Sequence, residues 1–100
     1  MEKLKPHYSL SAMQAQVRTE GIRAFTVSAL NGGRAMGLTD DDLLSVIAEL
    51  TRQDFYKSMT TYHDSRIWQD VYHGNCPNGL LAYIKLTQVA ERIVIQFKEK

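Results

Sequence analysis

Lys57, Gln69, Tyr83 and Lys98 each lie in a strand-like stretch of this chain, and three of the four are long polar side chains set between apolar neighbours. The lysines can neutralise phosphate, the amide can orient a sugar or a base edge, and the phenol is a hydrogen-bonding group. The segment Asp54 to Tyr72, DFYKSMTTYHDSRIWQDVY, surrounds the first two and holds one lysine, one arginine, two threonines, four tyrosines or tryptophans and one glutamine. That mixture suits a nucleic acid: Lys57 and Arg66 for phosphates, Tyr56 and Tyr62 for stacking on unpaired bases. Lys85, further along on the same kind of strand pattern, joins them as a substrate contact. By type alone, these residues also fit the ordinary fate of exposed lysines, which is solvation.

The elements that must position them emerge from hydrophobic periodicity. After Asp54 the pattern is that of strands. Over residues 80 to 88, Leu80, Ala82, Ile84 and Leu86 form an apolar face, with Leu81, Tyr83, Lys85 and Thr87 opposite; over 92 to 98, Ile93, Ile95 and Phe97 are apolar, with Arg92, Val94, Gln96 and Lys98 opposite. If both apolar faces of such a hairpin point to the core, even positions of one strand must pair with odd positions of the other. A short loop centred on Ala90 and Glu91 then sets Tyr83 across from Lys98 and Lys85 across from Gln96. Two groups able to bond or exchange protons become neighbours on the face away from the core. Ala-Glu is not a favoured turn pair, which leaves the turn type open.

The half before residue 53 reads as helical. Leu10, Met13 and Val17 mark one helix, with Ser9 as its cap and Gly21 as its end. IRAF, residues 22 to 25, reads as a short strand. A second helix from about Val27 to Met36 is capped by Thr26, and Gly32 and Gly33 weaken it by about 1 kcal/mol each. In the third, Thr39 and Asp42 make a capping box and Leu43, Val46, Ile47 and Leu50 a buried stripe, ending near Thr51. Asp40, Asp41 and Asp42 belong to the first turn, where they complement the helix dipole; adjacent helical residues diverge and do not converge on one ion.

One hundred residues make a single domain, and 44% apolar with 23% charged residues is ordinary for a globular chain. Residues 1 to 50 carry five Lys/Arg against six Asp/Glu, and residues 51 to 100 seven against five, so the strand-rich half is the basic one. No apolar run reaches the length of a membrane span, and MEKLKPHYSL lacks the pattern of a secretory signal, which points to the cytoplasm. The lone Cys76 excludes an intramolecular disulfide and any cysteine-based zinc site. It lies in HGNCPNG, which reads as a turn with no visible base or oxyanion partner. His7, His63 and His73 have no metal-ligand spacing, and no glycine-rich phosphate loop comes after a strand. No metal and no cofactor are expected.

At DFYKSMTTY (54 to 62), IWQDVY (67 to 72) and the terminal FKEK (97 to 100) the chain closely resembles the MqsR family of bacterial toxins, the motility quorum-sensing regulators. The likeness extends to the MEK start, to Pro6 and His7, and to SAL at 28 to 30. It breaks from His73 to Asn78, where relatives carry arginines and this chain reads HGNCPN. The resemblance implies an α+β fold: one RelE-like domain over residues 1–100, mostly antiparallel sheet, with N-terminal helices packed on it. It also implies a toxin of a type II toxin–antitoxin system that cleaves messenger RNA at short GC-containing sequences, without a metal and without the ribosome. The 2′-hydroxyl would attack the adjacent phosphorus, leaving a 2′,3′-cyclic phosphate and a 5′-hydroxyl. Carried over position by position, the catalytic set is Lys57, Gln69, Tyr83 and Lys98: the lysines on phosphate, Tyr83 in proton transfer or orientation, Gln69 in positioning. The implied partners are mRNA and a cognate, DNA-binding antitoxin that autoregulates the operon. The same face would equally serve a non-catalytic RNA- or protein-binding module; a transcriptional regulator fits less well, since the helical half offers no basic recognition helix.

Overall fold

A computed structural model describes residues 1–100. Strand β1 (Glu2–Lys3) is followed by helices α1 (Leu10–Glu20), α2 (Val27–Ala35) and α3 (Asp40–Glu49), then by strands β2 (Phe55–Thr60), β3 (Trp68–Asn75), β4 (Leu81–Val89) and β5 (Arg92–Glu99). The five strands form one sheet in the order β1-β2-β3-β4-β5, every neighbour antiparallel. The fold is therefore α+β, with the helices gathered against one side of a meander.

Each helix begins where its cap predicts. Ser9 accepts from the Ala12 amide, Thr26 from Ala29 and Thr39 from Asp42, while the Asp42 carboxylate returns a bond to the Thr39 amide. Met13 and Val17 of α1 and Leu43, Val46 and Ile47 of α3 are buried, and they meet Ile84, Leu86, Ile93, Ile95 and Phe97 from the sheet in one core. Gln14 on α1 fastens the end of α3 by donating to the carbonyls of Ile47, Ala48 and Leu50.

Three expectations need correction. IRAF is not a strand: Gly21–Ala24 forms a 3-10 turn closed by the Phe25 amide on the Ile22 carbonyl, and only Phe25 pairs, in an isolated parallel bridge to Ile95. Four residues carry too little periodicity to separate a turn from a strand. The HGNCPNG turn starts late, since His73, Gly74 and Asn75 still belong to β3 and the tight turn is closed by the Gly79 amide on the Cys76 carbonyl. Gly32 and Gly33 are not merely weak points of α2. A Cβ on Gly32 would lie 2.3 Å from the Phe97 carbonyl oxygen, and one on Gly33 2.5 Å from Leu43. Gly32 lets α2 press against the outer edge of β5, where the Thr26 amide also bonds to the Ile95 carbonyl, and Gly33 lets it press against α3. From Ile95 to Phe97 the edge of the last strand is thus covered by α2 and the residues before it.

At the other margin, β1 is too short to leave a sequence signal. It pairs with β2, and the segment after it is held by Asp70, whose buried carboxylate accepts from the amides of His7 (3.0 Å) and Tyr8 (2.8 Å) and from the Ser58 hydroxyl (2.6 Å). Three donors satisfy a charge that would otherwise be costly to bury. The Tyr8 hydroxyl adds a bond to the Trp68 carbonyl.

Candidate active site

Pairing across an antiparallel sheet puts direct partners on one face, so the register reads out the surface away from the helices. One row crosses it as Lys57, Val71, Lys85 and Gln96, and the next as His73, Tyr83 and Lys98; Met59 and Gln69 begin a third. The hairpin pairing expected from core parity is the one found. Val71 is fully buried yet stands outside the main core. A valine so shielded on an open face needs a roof, and its lateral partners are lysines whose aliphatic stems can supply one.

A β-bulge makes this face possible. The register shifts between Phe55 and Lys57, leaving Tyr56 unpaired. Phe55 packs on the core, and without the extra residue Lys57, two positions on, would point the same way. The bulge turns Lys57 outward and lays the half-exposed Tyr56 on His73, with ring centroids 4.5 Å apart. His73 in turn lies 5.8 Å from Tyr83, and the Lys98 Nζ sits 5.5 Å from the centre of the Tyr83 ring.

The charges on the face are held in different ways. Lys57 Nζ donates to Glu2 Oε2 at 2.6 Å, and that bond pushes the lysine above its ordinary pKa and the glutamate below its own. Lys85 is pushed down, first by burial and then by the positive charge of Lys98. His73 is also pushed down, by burial and then by Lys100, which favours its neutral form. Two hollows open beside Lys85: one of about 300 Å³ toward α2 and β5, and a shallower one of about 560 Å³ toward Gln69, Met59 and Tyr62. No group of three or more His, Cys, Asp or Glu side chains is arranged to hold a metal ion.

The chain matches the family described as motility quorum-sensing regulator, toxin of MqsA, over residues 5–99. It is 43% identical to the mRNA interferase toxin MqsR of Escherichia coli (strain K12) across 100 residues, the full length of both chains. The chain belongs to the MqsR toxin family.

In this MqsR-family chain, Lys57, Gln69, Tyr83, Lys98, Tyr56 and Lys85 share one face. Tyr62 and Arg66 do not join it closely. Tyr62 is 97% exposed in the β2–β3 loop and only rims the shallow hollow. Arg66 is engaged by Asp64 through a two-pronged pair, with Nε to Oδ1 and Nη2 to Oδ2 both at 3.0 Å. Two aromatics of the Asp54 to Tyr72 segment are unavailable as open stacking surfaces. Tyr72 points into the core, its buried hydroxyl unpartnered and its pKa pushed up to about 12, chiefly by burial. Trp68 is covered by the His7 ring at 5.3 Å and by Lys3 Nζ at 4.2 Å. Cys76 is a buried free thiol whose pKa is raised by burial and then by Asp42, which argues against a nucleophilic role. His73 is the residue on this face that sequence reasoning passed over. Its parity with Gln69 and Val71 on β3 was the available signal.

Proposed function

We propose that this toxin is an endoribonuclease that cuts messenger RNA through its own 2′-hydroxyl, and that the open sheet face is its active site. The observation that carries the reading is the double row of Lys57–Val71–Lys85 and His73–Tyr83–Lys98, three cations and a phenol on one rigid surface. The name of the Escherichia coli relative, an mRNA interferase toxin, supports it. The O2′ atom forms a bond to phosphorus as the P–O5′ bond breaks, leaving a 2′,3′-cyclic phosphate and a 5′-hydroxyl. One proton leaves O2′ and one arrives at O5′. Because the RNA brings its own nucleophile, the protein has to orient the phosphate, meet its growing negative charge and move those protons.

Lys57, kept protonated by Glu2, and Lys98 stabilise the phosphate charge. Lys85, desolvated and beside Lys98, is the lysine best suited to give up and regain a proton, and Tyr83 serves the other transfer. Gln69 positions the ribose. The chemistry needs neither a metal nor the ribosome, and the favoured sites are short and contain GC. The family description, toxin of MqsA, supports a cognate antitoxin partner, which on this reading binds DNA and represses the operon.

Purified parent protein is to be compared with Tyr83→Phe and Lys98→Ala by mapping transcript ends with primer extension. Discrete ends from the parent that fade in both variants are the expected result. Variants as fast as the parent would remove these residues from the site, and cutting of an all-deoxy strand would exclude the 2′-hydroxyl mechanism. Shifted but uncut RNA would identify a binding module instead.

A further inference from the structure

The hollow of about 300 Å³ lies between the start of α2 and the outer faces of β4 and β5. Tyr83, Lys85 and Lys98 form its side toward the proposed reaction. Ser28 and Gln96 form the other, and neither residue has been given a role. Gln96 pairs directly with Lys85 on β4 and sits two residues before Lys98 on β5, so it neighbours both lysines on the same face. The remaining polar side chain there, Thr26, is already spent: its hydroxyl caps α2 by accepting from Ala29.

Gln96 is one of three glutamines, with Gln53 and Gln69, whose side-chain amide is left free, and the one of them that lines this hollow. Gln14 clamps three carbonyls of α3, Gln16 donates to the Glu91 carbonyl, and Gln88 donates to Gln16. The side-chain amide of Gln96 makes no hydrogen bond within the protein, although it is half-buried, and the exposed Ser28 makes none through its hydroxyl. A half-buried amide on the wall of a hollow, with two donors and an acceptor left free, is available to a ligand's polar edge. It is also the group that reads base edges, since a donor beside an acceptor matches the paired edges of a nucleobase.

Resting on the reading of this face as an RNA-cutting site, we infer that the hollow is a nucleobase pocket in which Gln96 and Ser28 select the base next to the scissile phosphate. With a phosphate held by Lys98, the attached base enters the hollow, lies along the Tyr83 ring and meets the amide of Gln96 at its edge. An unpaired base is required, because a base inside a helix cannot leave its stack without losing its partner. Sequence preference and chemistry thus share one wall, in the β4–β5 hairpin.

The test uses a randomised 2′-O-methyl RNA library, which binds but offers no 2′-hydroxyl for attack. The pools bound by parent, Gln96→Met and Ser28→Ala proteins are sequenced, with thermal melting confirming that each variant is folded. Methionine keeps the length of glutamine without its hydrogen bonds. The expected result is a base preference at one position in the parent pool that falls about tenfold in Gln96→Met, and less in Ser28→Ala, while other positions keep theirs. Gln96→Glu, which can only accept, should move that preference toward bases offering an amino donor. Identical pools, a parent pool without base preference, or an equal loss at every position would each overturn the pocket. A second arm digests the unmodified library: a parent that fails to cut it defeats the proposed function, while the bound pools still judge the pocket.

Discussion

The two margins of the site face hold their lysines in opposite ways. On the β1–β2 side Lys57 has a carboxylate 2.6 Å away, and its proton is secured by that bond. On the β4–β5 side neither Lys85 nor Lys98 has an acidic partner, and burial together with the like charge of Lys98 loosens the Lys85 proton. A lysine needed as a permanent charge gains from an acid beside it. One needed to exchange a proton gains from losing water and facing another cation. On the proposed mechanism a single residue type serves two tasks across three strands, with the fully buried Val71 between them.

The sharpest way to break that contrast is to remove the β4–β5 charges. Lys98→Met and Lys85→Met should each lower single-turnover cleavage by about 10²- to 10³-fold, the usual loss for a group that meets developing charge in the first case and for one that moves a proton in the second. The pH profile then separates the two. Lys98 disfavours the protonated form of Lys85, so removing it raises the Lys85 pKa. Because the neutral amine is the proposed base, the rising limb of the residual rate should move to higher pH in Lys98→Met. An unmoved limb would take Lys85 out of proton transfer.

The hairpin that carries this wall is held by an unfavourable turn. Ala90 and Glu91 both adopt left-handed backbone, with φ of 51° and 66°, the conformation that suits Asn-Gly. The Ala90→Asn/Glu91→Gly double variant should stabilise the protein by about 1–2 kcal/mol, raising Tm by several degrees. Gln16 binds the Glu91 carbonyl, a backbone group the variant retains. A lower Tm in thermal unfolding would show that the turn is not a source of strain.

The legibility of the sequence divides along the same line. In β4–β5 the alternation of Ile84, Leu86, Ile93, Ile95 and Phe97 allows only one parity, and with a short turn it fixes Tyr83 against Lys98. In β1–β2 the decisive features carry no periodic signal. Two residues make a strand, and one unpaired residue, Tyr56, reverses the faces of the residues after it. The contact between Glu2 and Lys57 spans 55 positions and depends on both accidents of backbone. Parity could have removed Tyr72 from the aromatic set, since Trp68, Asp70 and Tyr72 alternate against Gln69, Val71 and His73. The segment's composition obscured that alternation.

The smallest expected effect belongs to Glu2, and it tests the contrast from the other side. Its carboxylate occupies Lys57 where an RNA phosphate would, yet the pair is exposed enough for water and salt to weaken it. Glu2→Gln keeps the length and a hydrogen-bond acceptor while removing the competing charge. KM for a short RNA should fall by less than about fivefold at low salt, the gain should vanish as ionic strength rises, and kcat should stay level. The Lys57 pKa would drop toward its ordinary value, which still leaves the amine protonated at neutral pH. A fall in kcat comparable to that of Lys98→Met would mean that Glu2 aims Lys57 at the reacting phosphate, and the two walls would then differ in how their lysines are held but not in what they contribute.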